Sequence, residues 1–216
     1  MYAFLSYQTG EKEVAGEVRD LLASLGIKSF TAHDDIEVSE EWRQKILEEL
    51  GKADVFIPLL SQAYYASPWC MQESGIAAFR DGLAIIPLSL DGSIPPGFIS
   101  HIQSTKVQPG KIELSSLLPG LAKKDVNFVI DFVIEKIKRS ASFRGAEANF
   151  AMIVPLVGKA TNDQILRLLK ISSANGQVLH ASQVAHEFIP PLVEKYGNLL
   201  DPDDLEKLKQ VVEQYA

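Results

Sequence analysis

The chain has 216 residues, 46% hydrophobic and 23% charged, a balance typical of soluble globular proteins with apolar material for one domain plus an appendage. A net charge of −7 excludes a general binder of nucleic acid or of anionic membrane, both of which need a basic face. A single cysteine, Cys70, excludes a disulfide framework and a cysteine zinc site, and no stretch reaches the roughly eighteen apolar residues of a spanning helix.

The N-terminus lacks a basic leader, so a cytoplasmic protein is expected. The apolar run Tyr2 to Tyr7 predicts a first strand. Val14, Val18, Leu21, Leu22 and Leu25 fall at helical spacing, and Gly26 closes that helix. Ile27 to Ala32 predicts a second strand, and His33 to Val38 a polar loop. Ser39 opens a helix that carries Trp42, Ile46 and Leu50 on one face, which places Trp42 in the core. Asp54 to Ser61 and Leu83 to Leu90 read as third and fourth strands covered on two faces, although each holds a proline, Pro58 and Pro87, that sits awkwardly in a sheet. Ser67 and Pro68 begin a helix that runs to about Arg80. Thr105 to Gln108 predicts a short fifth strand, and Val126 to Ile137 an amphipathic helix.

Strand and helix alternate about five times, which predicts an α/β fold: a flavodoxin-like five-stranded parallel sheet in the order 2-1-3-4-5 with helices on both faces. After about Ser140 strand signals stop. Thr161 to Gln164 is a capping box, Pro190-Pro191 must break or kink the helix around them, and Asp201 to Asp204 caps a last helix. The expected division is therefore 1–140 and a small helical appendage, 141–216.

No glycine-rich phosphate loop follows strand one, and strand three ends in Leu59-Leu60-Ser61 rather than the aspartate of a receiver domain. The histidines, His33, His101, His180 and His186, show no metal-like pairing, so no metal is expected. The residues that stand out are Trp69 and Glu73. Four apart on the helix after strand three, they set a carboxylate beside an indole at the carboxyl end of a sheet, where α/β folds bind ligands. Cys70, between them, reads as a packing residue.

The chain resembles a Toll/interleukin-1 receptor (TIR) domain of the bacterial type. The resemblance rests on Ala3-Phe4-Leu5-Ser6-Tyr7, Gly26-Ile27-Lys28-Ser29-Phe30, a loop from His33 to Ser39 at the place of the BB loop, Trp42, Phe56-Ile57-Pro58-Leu59-Leu60-Ser61, and Ser67-x-Trp69-Cys70-x-x-Glu73, in that order over about residues 1 to 138. Ser39-Glu40-Glu41 stands where the family commonly has a BB-loop glycine. The resemblance implies a catalytic Glu73 and cleavage of NAD+ at the nicotinamide–ribose bond, with NAD+ as substrate and no resident cofactor. It implies ADP-ribose or a cyclic isomer as product, a role in bacterial anti-phage immune signalling, and self-association of TIR domains. Trp69, Ser6, Tyr7, Gln8, Phe30 and His33 are the expected substrate contacts. The other reading is a non-catalytic scaffold working through TIR–TIR contacts. In either case the C-terminal helices are expected to serve oligomerisation or a protein partner, with no nucleic acid and no membrane involved.

Overall fold

The computed structural model describes residues 1–31 and 42–215. His33, Asp34, Asp35 and the rest of the expected BB loop lie outside the described residues. Strand β1, Tyr2–Ser6, is the hub of the first half. It pairs in parallel with β2, Lys28–Thr31, on one side and with β3, Val55–Leu60, on the other. Every residue of β3 is buried, which requires cover on both faces of the sheet and explains why its sequence shows no alternation.

The expected fourth strand is in two pieces, β4, Ala84–Ile85, and β5, Leu88–Ser89, both parallel to β3. Phe56 aligns with Ile85 and Leu59 with Leu88, so one register sets Pro58 beside Pro87. Neither proline has an N–H to donate, and the ladder skips where they meet. The two awkward residues thus occupy one gap in the sheet instead of making two. A short β6, Thr105–Lys106, pairs with β5 and completes the order 2-1-3-4-5 foreseen from the alternation, with strand four divided.

The first helix, α1, spans Lys12–Ser24 and packs on β2 through Ala15, Val18 and Leu22. Gly26 at φ 72° lets the chain turn directly from it into β2. Helix α2, Trp42–Lys52, buries Ile46 and Leu50 and packs on β1. Two helices follow β3: α3, Gln62–Ala66, and α4, Pro68–Phe79. The short α5, Leu118–Lys124, packs on β4. Phe4, Phe30 and Phe56 form the aromatic centre, with Phe4 5.3 Å from Phe30 and 6.0 Å from Phe56 between ring centroids. Full burial of each such side chain contributes about 2–3 kcal/mol.

The chain divides into two compact units, Met1–Lys124 and Asp125–Ala216, rather than after residue 140. The reason is α6, Val126–Lys138, whose Val129, Ile130, Val133, Ile134 and Ile137 are all buried. It packs on α7, Phe143–Ile153, and on α8, Asn162–Ala174. Polar contacts reinforce that packing. Gln164 donates to the Asn127 carbonyl and to Asp131, Arg167 pairs with Asp131, and Asn175 donates to the carbonyls of Lys138 and Ser140. Thr161 and Gln164 close the expected capping box at the start of α8. The unit continues with α9, Gly176–Leu179, a π-helical turn at Val184–Phe188, α10, Ile189–Tyr196, and α11, Pro202–Tyr215. Pro190 and Pro191 stand in the first turn of α10, the place in a helix where a missing N–H costs least.

Candidate active site

The cleft lies at the carboxyl end of β1 and β3, and local capping builds it. Ser61 closes β3 and caps α3 by accepting from the Tyr64 N–H at 3.0 Å. Ser67 then caps α4 by accepting from the Cys70 N–H at 3.3 Å, with Pro68 in the first turn. The two caps fix where Tyr64 and Glu73 point. Across the sheet, Gln8 caps the 3-10 turn Thr9–Glu11, its side-chain oxygen accepting from the Gly10 N–H at 2.6 Å. Glu11 accepts from the Gln8 N–H at 3.3 Å and from the Ser61 hydroxyl, tying the end of β1 to the end of β3.

Between these elements lies a cleft of about 440 Å3 lined by Tyr7, Gln8, Thr9, Trp42, Trp69 and Glu73, with Cys70 and small residues of α3 and α4 completing the wall. That volume is within the range of small-molecule sites. Trp69 and Trp42 are 48% and 44% exposed, and both line the cleft. Trp42 was expected in the core. Ile46 and Leu50 fill the buried stripe of α2 instead, and Trp42, at the first residue of that helix, is left at the rim.

Glu73 is only 6% exposed although it lines the cleft. Its Oε2 accepts from the Ser6 hydroxyl at 2.5 Å. Ser6 in turn lies 2.8 Å from the Tyr64 hydroxyl, and Tyr64 2.8 Å from the Ser74 hydroxyl. Burial pushes the Glu73 carboxyl up to about 7, and the Ser6 hydrogen bond opposes the rise. Among the described residues no cation pairs with it. Burial likewise raises the Cys70 thiol to about 11 and the Tyr64 phenol well above its ordinary range, so neither is an anion near neutrality.

Of the expected contacts, Tyr7, Gln8 and Trp69 line the cleft with Glu73. Ser6 does not line it. It is buried behind the carboxylate and reaches the site through Glu73 and the Cys70 thiol. Phe30 is also not a lining residue. It is 2% exposed and packs against Phe4 in the core, because its side chain at the end of β2 faces the layer of α2. His33 lies outside the described residues. Sequence reading missed Tyr64, Ser74, Glu11 and Ser61. Only the cap pattern at Ser61 and Ser67 was locally visible. The Glu73 and Tyr64 partners of Ser6 and the Ser61 partner of Glu11 are fifty or more residues away.

The fold is a parallel sheet in the order 2-1-3-4-5, with a buried carboxylate and an exposed indole one turn apart at its carboxyl edge. The family model described as TIR domain matches residues 3–117, just over half of the chain. The chain belongs to the TIR-domain family. Among solved structures, it is similar to the TIR domain of the Toll-related receptor TRR-2 from Hydra magnipapillata, at 19% identity and a TM-score of 0.43, covering 48% of this chain and 82% of that one. A comparison with curated proteins gives no significant match.

Proposed function

We propose that the protein is an NAD+ glycohydrolase or cyclase that cleaves the nicotinamide–ribose bond. The observation that carries this reading is Glu73, a carboxylate with no paired cation among the described residues, buried at the floor of a cleft. Ordinary glycoside hydrolysis needs a second carboxyl group to protonate the leaving oxygen. Nicotinamide is cationic while bound in NAD+ and departs neutral, so no general acid is needed. The positive charge that develops passes to the ribose ring. An anion held in a low-dielectric wall stabilises that charge more than water would, by several kcal/mol. Glu73 would face the ribose, holding its hydroxyls, and Trp69 would stack on the nicotinamide ring or keep water from the cation. Tyr7 and Gln8 are placed to contact the rest of the dinucleotide. Water attack gives ADP-ribose, and attack by a nucleophile of the same molecule gives a cyclic isomer. The setting that fits is a cytoplasmic immune signal of the bacterial anti-phage kind, with NAD+ as substrate and no other cofactor.

The test is nicotinamide release from NAD+ by the purified protein, beside Glu73→Gln. The expected result is release that falls by about 10^2-fold or more in the variant, the scale of losing one oriented transition-state group. Release that is the same in both proteins would show that the site is misplaced. No release at any protein concentration would favour the second reading, a scaffold acting through TIR–TIR contacts. That reading has its own support. Phe79 at the end of α4 is 91% exposed and Phe98 83%, and α4 packs on the 3-10 turn Gly97–Ile99 that carries Phe98. Aromatic side chains left in solvent on neighbouring elements are a means of self-association. For the helical unit, 125–216, we propose a role in oligomerisation or in holding a protein partner.

A further inference from the structure

We propose that Tyr64 is a positioning residue for Glu73: with Ser74 behind it, its hydroxyl directs the proton of Ser6 onto the carboxylate. The consequence for catalysis rests on the glycohydrolase reading above, whereas the chain of protons rests on geometry alone. Ser6 and Tyr64 are buried with Glu73 and Ser74, and three contacts of 2.5, 2.8 and 2.8 Å run Glu73–Ser6–Tyr64–Ser74. Each hydroxyl has one proton. Ser6 gives its proton to Glu73, so in the Ser6–Tyr64 pair the donor is Tyr64. Having spent its only proton there, Tyr64 must accept from Ser74. The orientation of all three hydroxyls is therefore fixed by one charge at the end of the row. When Glu73 takes up a proton, it can donate to Ser6 and the row reverses. Tyr64 then has the Cys70 carbonyl, at 3.3 Å, as an alternative acceptor.

A row of donors that all point one way polarises each member, so the last bond, onto the carboxylate, is stronger than an isolated hydroxyl would make it. Among the described residues, the other titratable groups around the site are Tyr7 on the cleft wall, Cys70 on the same helix and Glu11 beyond it, and none supplies positive charge. The hydroxyl row is thus what opposes burial in keeping Glu73 ionised. Its effect must be graded by distance. Ser6→Ala removes the direct bond and raises the carboxyl midpoint by about one to two pH units. Tyr64→Phe removes only the support behind that bond and raises it by roughly half a unit. Ser74→Ala acts one step further out and raises it by less.

The experiment is a titration of the Glu73 side-chain carboxyl by 13C NMR in the full chain, the resonance assigned by its loss in Glu73→Gln. The same four proteins are assayed for the pH profile of nicotinamide release. The expected order of midpoints is Ser6→Ala, then Tyr64→Phe, then Ser74→Ala, then the unaltered protein, the last near 7. In the Tyr64→Phe profile of kcat/KM the acid limb moves up while the alkaline plateau and KM stay put, whereas a packing defect would lower the plateau. An unchanged midpoint in Tyr64→Phe, with that of Ser6→Ala raised, overturns the proposal. If Tyr64→Phe does not fold, an unchanged midpoint in Ser74→Ala overturns it equally. Graded midpoints in a protein that releases no nicotinamide leave the row standing and remove only the enzymatic reading.

Discussion

Glu73 carries a cost that its surroundings only partly offset. Folding lifts its carboxyl from 4.5 to about 7, so the native chain holds that proton more tightly than the unfolded one. Stability is therefore lost as pH rises between those values, and above about 7 the penalty is on the order of 3 kcal/mol. Glu73→Gln abolishes it. In urea titrations the variant should match the unaltered protein near pH 4 and exceed it at pH 8, by up to about 3 kcal/mol. Equal stability at both pH values would mean that the carboxyl is solvated. The site residues were unevenly legible in the sequence. Glu73 and Trp69 could be found because a cap, a proline and a four-residue spacing are local features. Tyr7 and Gln8 followed from their place at the end of a strand. Tyr64 could not be found, since its role depends on Ser6, 58 residues earlier, coming within 2.8 Å. Phe30 and Trp42 were each placed on the wrong side of the surface, because an aromatic residue at the end of an element can face either way and only the packing of α2 decides.

At the scale of elements, the sheet was readable because hydrophobic runs and helical periods alternate, and the two prolines were the discordant signal. They mark a real interruption, and register explains why it is tolerated, a relation between strands that no single segment reveals. The neighbourhood of that gap is tightly filled. A Cβ added to Gly120 in α5 would stand 2.5 Å from Cγ1 of Ile86, which with Pro87 lies between β4 and β5. Gly120→Ala in a helix would by propensity gain about 1 kcal/mol. The overlap with a buried branched side chain costs about 1–3 kcal/mol and outweighs the gain. The expected outcome is a lower melting temperature, by roughly 2–10 °C for a domain of this size. Gly158, which has open space around it, is the control: alanine there meets nothing within 4 Å.

For the whole molecule, the division after Lys124 was hidden because α6 follows the last strand at the spacing of one more crossover helix. Its apolar stripe gives its period but not its partner. The partners are α7 and α8. Among the described residues no helix is long and apolar enough to cross a membrane. A chain ending at residue 140 keeps α6 and deprives Val129, Ile130, Val133, Ile134 and Ile137 of those neighbours. It should aggregate, whereas a chain ending at Lys124 should remain dispersed and folded by circular dichroism. Light scattering on the two chains decides this, and equal behaviour would remove the basis for placing the boundary at 124. If the shorter chain also scatters as the same assembly as the full protein, the helical unit has no part in oligomerisation.

Cys70 sits between Trp69 and the Glu73 carboxylate, buried, its thiol protonated up to about pH 11. It is the only cysteine in the sequence. An alkylating reagent added to the folded protein therefore has a single target, a thiol only 2% exposed in the wall of the cleft, which reacts faster when α4 opens away from the sheet. The rate at which the chain gains that one adduct is a clock for local opening, and anything that settles into the cleft must slow it.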